Sequence, residues 1–327
     1  MVFFQIQERL PIVWSKDYNV AFCGLQCLYP FDTEKGQHVL QLLKVSGLVK
    51  EDNIYRPLEM NEDELLEVHS FDYLQSLKIS DNVAKIAEIP LLHFVPNVFV
   101  QSSYLKPMRF QAGGTVKACK LALKHGWAIN LGGGFNHCSS DHGGSFSPYA
   151  DMSLAVKSIL LDQSNNVRRI MIIDLSSRQG NGHERDLMDI KSVYIFDMYN
   201  HTLYPKDEQA KMAISRKVEL PSHTEDEVYL RKLRINLLKA FEEFTPDFVL
   251  YNAGTDVVEG DDLGELCVSP SGIVARDEIV FTKVRGLQIP IAMVLGTGFV
   301  RSSAEIIASS IINLKEKGFL PSKMWER

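Results

Sequence analysis

The sequence predicts an α/β fold in which a central, mainly parallel sheet carries helices on both faces. From about Trp127 onward, short β-branched runs alternate with amphipathic segments of helical length, as in parallel strands joined by crossover helices. Hydrophobic residues make up 45% of the chain and charged residues 23%, which indicates a packed core. Because no Pro/Gly/Ser-rich linker interrupts the pattern, we expect residues 1–327 to form one domain.

The predicted elements follow one another along the chain. Apolar runs of strand length, rich in β-branched residues, predict strands at 11–15, 127–131, 169–175, 193–198, 248–252 and 289–295. Apolar residues at helical spacing predict helices near 34–46, 61–78, 109–125, 148–162, 224–244, 270–286 and 302–317. Thr224 with Glu227, and Ser302 with Glu305, have the spacing of capping boxes at two of the helix starts.

Charge and the first residues narrow the classes of partner. The net charge is −6, and no run of Lys and Arg is dense enough to neutralise phosphates, so we expect no direct nucleic-acid or membrane binding. The apolar first residues are broken by Gln5, Glu8 and Arg9, unlike a signal peptide, which predicts an intracellular protein. Five cysteines without C-x-x-C spacing suit reduced thiols.

Four predicted strands end in loops that join glycines to polar residues. These loops cover residues 131–138, 173–182, 251–256 and 295–299. In open parallel sheets, ligands bind beyond the carboxyl ends of the strands, where such loops converge. Glycines there let the backbone approach a ligand closely. The four loops are therefore predicted to form the functional site.

The loops resemble those of the histone deacetylases. The stretch from Gly132 to Asp151, the run Asn-Gly-His-Glu-Arg-Asp at 181–186 and the run Asn-Ala-Gly-Thr-Asp at 252–256 are most similar to the class IV group. The resemblance covers residues from about 11 to 314. It implies a three-layer arginase/deacetylase fold, and a zinc ion that removes acyl groups from lysine side chains through an activated water.

The positions that the resemblance assigns to the metal are largely altered. The family holds zinc with an Asp and a His two positions apart, and with an Asp after a later strand; these positions are Ser176, Arg178 and Asp256 here. Serine is a poor neutral zinc ligand, and the protonated guanidinium of arginine offers no lone pair. A fixed positive charge would also repel a divalent cation. Of the three ligands, only Asp256 is retained.

The positions that the resemblance assigns to catalysis are altered too. The family's tandem histidines correspond to Asn136 and His137, so one imidazole survives. Asp174 matches the carboxylate that orients the first histidine, and Asn181 faces the second. The tyrosine that donates a hydrogen bond to the oxyanion corresponds to Phe299. Loss of one such donor lowers the rate by about a hundredfold to a thousandfold.

Further expectations concern the channel and the charges around it. Phe146 matches the aromatic wall of the acyl-lysine channel, and Ser145 stands where many relatives have Gly. We hypothesise that Arg178 pairs with Asp256 and replaces the missing cation, because a buried charge is tolerated when it is paired. The resemblance also allows a monovalent cation, such as potassium, bound through Asp174 and main-chain carbonyls.

These positions predict a pseudoenzyme without zinc that acts as a binding or regulatory module, nuclear or cytoplasmic by resemblance. Its partners would be proteins, including acylated lysine peptides or subunits of deacetylase complexes. The alternative is an active lysine deacetylase or fatty deacylase with an atypical metal site around Asp256, His137 and Cys138 or a nearby histidine. A third hypothesis is a small-molecule sensor in which Arg178 binds an anion.

Overall fold

A computed structural model describes residues 9–21, 32–50, 53–298 and 300–321. Its strands are β1 (Ile12–Val13), β2 (Trp127–Asn130), β3 (Ile170–Asp174), β4 (Val193–Asn200), β5 (Arg216–Leu220), β6 (Phe248–Asn252) and β7 (Ile291–Val294). They form one sheet in the order β1-β2-β7-β6-β3-β4-β5, in which every pairing is parallel. The predicted parallel α/β fold is confirmed.

The α-helices of the described residues are α1 (Lys35–Val45), α2 (Glu62–Leu66), α3 (Phe71–Ser76), α4 (Ser80–Ile86), α5 (Asn97–Val100), α6 (Lys106–His125), α7 (Asp151–Leu161), α8 (Asn181–Leu187), α9 (Asp226–Glu243), α10 (Pro270–Gly286) and α11 (Ser303–Glu316). A π-helical stretch, Gln101–Leu105, leads into α6. None of these helices is long and apolar enough to span a membrane.

Two hydrophobic layers cover the sheet because alternate side chains of each strand point to opposite faces. On one face, Trp127, Ile173 and Tyr251 pack with residues of α1, α9, α10 and α11. On the other face, Ala128 and Ile172 pack with residues of α6 and α7. A strand buried on both sides reads as a continuous apolar run, which explains why the central strands were predictable.

Three local predictions were wrong. The edge strand β5 was not predicted. Its sequence is rich in charged residues, and only Val218 and Leu220 are buried. The helix predicted at 61–78 is divided into α2 and α3. Neither expected capping box forms, because no side chain caps the starts of α9 and α11. A capping box does form at Asn61 and Glu64, at the start of α2.

The sheet order places the four glycine-containing loops side by side. They follow β2, β7, β6 and β3, which are adjacent in the sheet. The loops also stay connected beyond the strands: the Gly296 amide donates to the Gly133 carbonyl at 3.0 Å, and the Thr255 amide donates to the Thr297 carbonyl at 2.7 Å. The predicted convergence of these loops is therefore seen in the structure.

Candidate functional site

The loop after β2 carries the first pair of candidate residues, and a buried carboxylate holds it. Asp151 Oδ2 accepts the Gly134 amide at 2.7 Å and the Thr115 hydroxyl at 2.6 Å. Gly134 has a φ of +80°, and a Cβ at this position would lie 2.5 Å from Asn252 Oδ1. Only glycine fits there without displacing the neighbouring loop. This tight turn presents Asn136 and His137 to the site.

Asn136, Asp174 and Ser176 form one buried hydrogen-bonded group. The Asn136 amide nitrogen donates to Asp174 Oδ2 at 2.9 Å and to the Ser176 hydroxyl at 2.8 Å. The Ser176 hydroxyl in turn donates to Asp174 Oδ1 at 2.6 Å. The resemblance implied that Asp174 contacts the side chain at position 136, and the two side chains do meet. Asp174 orients an amide here, which cannot relay a proton as an imidazole would.

His137 lies beside this group and is neutral near pH 7. Its Nδ1 is 2.8 Å from Asn181 Oδ1, as the resemblance implied for this pair. The pKa of His137 is lowered to about 4, chiefly by burial; the hydrogen bond with Asn181 opposes this shift and the nearby Arg178 cation adds to it. The His137 ring also meets the ring of Tyr204 edge-on, with centroids 5.5 Å apart. A neutral imidazole in this position is able to accept a proton.

Asp256 is fully buried and saturated by neutral donors. Its Oδ1 accepts the Ser177 amide at 2.9 Å, and its Oδ2 accepts the hydroxyls of Ser177 at 2.7 Å and Thr297 at 2.6 Å. Arg178 is not among its partners. The hypothesised ion pair between Arg178 and Asp256 is therefore wrong, because loop donors already satisfy this carboxylate.

Arg178 instead bridges two loops on either side of its side chain. Its Nε and Nη2 donate to the Leu263 carbonyl at 3.2 and 3.1 Å, and its Nη1 donates to the Ser145 hydroxyl at 3.2 Å. No carboxylate of the described residues lies within 4.0 Å of the half-buried guanidinium. The cation is thus held in place by neutral acceptors.

A zinc ion does not fit these residues. Zinc sites in proteins use thiolate, imidazole and carboxylate ligands in a tetrahedral arrangement. Ser176 is engaged with Asp174, Arg178 adds a positive charge, and both Asp256 oxygens accept hydrogen bonds. Across the described ranges, no group of three or more His, Cys, Asp or Glu side chains could hold a metal ion.

The alternative ligand Cys138 is directed elsewhere. Its thiol donates to the Ser139 carbonyl at 3.4 Å and lies 3.7 Å from the Tyr73 hydroxyl. Burial raises the pKa of Cys138 well above its ordinary value, so the metal-binding thiolate is disfavoured. The set of Asp256, His137 and Cys138, expected for an atypical metal site, is not assembled by the described residues.

A buried acidic corner lies behind the loop after β3. Burial raises the pKa of Asp197 well above its ordinary value and that of Glu184 to about 7. Asp197 and Glu184 hydrogen-bond to each other, so a proton retained by one of the two carboxyl groups reduces the negative charge of this corner. The monovalent cation that the resemblance allows at Asp174 stays a prediction.

Two residues of the channel wall have unusual backbone conformations. Ser145 has a φ of +47° and Phe146 a φ of +65°, a region that non-glycine residues rarely adopt. The Ile86 carbonyl accepts the Phe146 amide at 2.9 Å, and the Tyr104 hydroxyl donates to the Phe146 carbonyl at 2.8 Å. A positive φ is a backbone conformation that glycine adopts at low cost, in agreement with the glycine that the resemblance implies at position 145.

Lys35 is a site residue that the sequence did not reveal. It lines a cavity of about 50 Å³ with Tyr18, Val20, Met108, Leu131, Phe135 and Phe146, among others. Its ammonium donates to the Gly296 carbonyl at 2.8 Å across 261 residues of sequence. Burial lowers the pKa of Lys35 to about 8, opposed by Asp256, Asp32 and Asp261. Nothing in its local sequence, at the start of α1, distinguishes it from a surface lysine.

The fold and the four loops are those of a known family. Residues 29–314 match the family described as Histone deacetylase domain, and the chain belongs to that family. It is 46% identical to Histone deacetylase 2 of Arabidopsis thaliana over 316 residues, 97% of this chain and 81% of that protein. Phe299, which the sequence resemblance aligns with the family's tyrosine, lies outside the described residues.

Solved structures of low sequence identity share the arginase/deacetylase fold. The HDA15 HD domain superposes with a TM-score of 0.73 at 19% identity, covering 93% of this chain and 90% of that one. Acetylpolyamine aminohydrolase from Burkholderia pseudomallei superposes with a TM-score of 0.71 at 14% identity, covering 92% of this chain and 97% of that one. The predicted fold class is confirmed.

Proposed function

We propose that this chain is a class IV-like histone deacetylase homologue that has lost zinc-dependent hydrolysis and acts as a binding or regulatory protein. The observation that carries this proposal is the position of Arg178. By the sequence resemblance, Arg178 corresponds to a ligand position of the family; its guanidinium is held by Leu263 and Ser145 and brings a positive charge near neutral His137. Water activation in this family depends on a bound divalent cation.

The remaining groups support the same proposal. Asn136 replaces an imidazole in the hydrogen-bonded group with Asp174 and Ser176, and phenylalanine replaces the tyrosine at position 299. Without a metal, the surviving His137 has no polarised water to deprotonate. On this proposal, the retained residues Asp174, His137 and Asp256 do not by themselves complete the chemistry of acyl-lysine hydrolysis.

The second candidate is an active lysine deacetylase or fatty deacylase with an atypical metal site. The family membership and the name of the 46% identical Arabidopsis thaliana protein favour this candidate. The altered ligand positions favour the first. The two candidates differ in one observable, which is chelator-sensitive turnover.

The test is hydrolysis of acetyl-lysine and long-chain acyl-lysine peptides by the purified protein, with and without added zinc. The first candidate predicts no turnover above the buffer rate under either condition. Turnover that zinc restores and a chelator abolishes would overturn it and establish the second. An active deacetylase assayed in parallel controls for peptide quality.

We further propose that the partners are proteins, including acylated lysine segments or subunits of deacetylase complexes, and that the protein resides in the nucleus or cytoplasm. Membership of a family that acts on protein lysines supports the first point. The acidic net charge of −6 supports protein rather than nucleic-acid partners. Affinity purification followed by mass spectrometry tests the partner class.

A further inference from the structure

We propose that Arg178 makes this site a receptor for a carboxylate, in particular for the terminal carboxylate of an acidic acyl group on lysine, such as succinyl-lysine. This inference rests on the proposed loss of zinc hydrolysis and names the ligand class of the same site. Arg178 makes three hydrogen bonds within the fold and has further N–H groups that remain available.

Arg178 retains unused donors. A guanidinium carries five N–H groups in a planar fork. Three of them donate to Leu263 and Ser145, which leaves two with no acceptor in the part of the chain that the structure describes. Both acceptors are neutral, so they hold the group without cancelling its charge. A half-buried cation without a counterion is a favourable partner for an anion.

The surroundings of Arg178 admit an anion. Burial lowers the pKa of His137 and raises that of Tyr204, so both are neutral near pH 7, and the Arg178 cation is near enough to each ring to favour its less positive or more negative form. The Tyr204 side chain is 54% exposed, so this group of rings opens to solvent. No carboxylate of the described residues competes within 4.0 Å of the guanidinium.

The bridge formed by Arg178 favours an acyl group that ends in a charge. The side chain spans from the loop at Ser145 to the loop at Leu263, so it crosses the gap between them. Arg178 and Tyr204 are both accessible to solvent, so the far end of an acyl-lysine that approaches beside Tyr204 would meet the guanidinium. An acetyl group would offer only a neutral carbonyl, whereas a succinyl group would offer a carboxylate that accepts both free N–H groups.

The experiment measures binding of one peptide carrying succinyl-lysine, acetyl-lysine or unmodified lysine, by fluorescence anisotropy with the full chain. We expect the succinyl peptide to bind at least about tenfold more tightly than the acetyl peptide, as for other hydrogen bonds to charged groups. Arg178→Gln should abolish this preference, and Arg178→Lys should retain only part of it because the fork is lost.

Arg185→Gln is the matched control. Arg185 lies seven residues further along the chain and is ion-paired with Asp207 on the surface, so its loss should leave the preference unchanged. Equal affinity of the unaltered protein for the succinyl and acetyl peptides would overturn the proposal. A preference that persists in a folded Arg178→Gln variant, as judged by circular dichroism, would also overturn it.

A competition arm separates the two sources of a carboxylate. If free succinate displaces the peptide at the peptide's own concentration, the anion site is supported but the ligand is a free dicarboxylate. Zinc content and peptide hydrolysis are measured on the same samples. Hydrolysis would overturn the proposed loss of activity, whereas the succinyl-to-acetyl affinity ratio in the unaltered and Arg178→Gln proteins tests the anion site separately.

Discussion

Replacing Asp256 with Ala is expected to destabilise the fold by about 2–4 kcal/mol, because the carboxylate serves the loops as a hydrogen-bond acceptor. The Ser177 amide and hydroxyl that it accepts are fully buried, and each unsatisfied buried donor costs about 1–3 kcal/mol. The Thr297 hydroxyl is partly exposed and can turn to water, so it adds little. The loops can relax around the two unsatisfied Ser177 donors, so their combined cost lies in the lower part of this range.

The assay is urea unfolding followed by circular dichroism, with Asp262→Ala as the matched control. Asp262 is exposed on the following loop, so its loss should change the unfolding free energy by less than about 0.5 kcal/mol. A chelator should leave the unaltered protein's midpoint in place, since a bound metal would stabilise the folded state by mass action. An unchanged urea midpoint for Asp256→Ala would show that Asp256 does not stabilise the loops as a hydrogen-bond acceptor. A large fall of the midpoint caused by the chelator would show that the loops depend on a bound metal.

Two further predictions concern stability. Gly264→Ala should destabilise the fold by about 3 kcal/mol or more, because its Cβ would lie 1.6 Å from the Asp256 carbonyl oxygen. Gly286→Ala in α10 is the control: no atom lies within 4 Å of its Cβ, so the free energy of unfolding should stay the same or rise by a few tenths of a kcal/mol. Calorimetric melting of both variants checks this, and equal melting temperatures would contradict it. Burial lowers the pKa of His69 from 6.5 to about 4, so between those pH values the unfolded chain binds a proton that the folded chain does not. The free energy of unfolding should therefore fall as the pH drops through this window. Urea titrations at pH 7 and pH 5 measure its dependence on pH, which His69→Gln should reduce by the equivalent of up to about one proton. The same pH dependence in both proteins would count against this prediction.

The fold was largely predictable because its strands are buried on both faces. The predicted runs at 127–131 and 248–252 match β2 and β6 within one residue. Strand β5 was not predicted because an edge strand exposes most of its side chains and so lacks a continuous apolar run. The capping box at Thr224 does not form because the Thr224 hydroxyl donates to the Pro221 carbonyl, which spacing alone does not reveal.

The site was predictable to the level of loops and not to the level of contacts. The strand ends identified the four loops, and the family resemblance implied the proximity of Asp174 to Asn136. It could not reveal that Ser177 and Thr297 saturate Asp256, because that depends on loop conformation. Lys35 was missed because only the folded chain brings α1 against Gly296.

We propose that this deacetylase homologue does not hold zinc at Ser176, Arg178 and Asp256. Elemental analysis of the purified protein measures this, beside the double variant Ser176→Asp/Arg178→His, which restores the ligand types that the resemblance implies. We expect almost no zinc in the unaltered protein and about one zinc per chain in the variant. About one zinc per chain in the unaltered protein, removed by a chelator together with acyl-lysine hydrolysis, would show that the proposed loss of zinc is wrong.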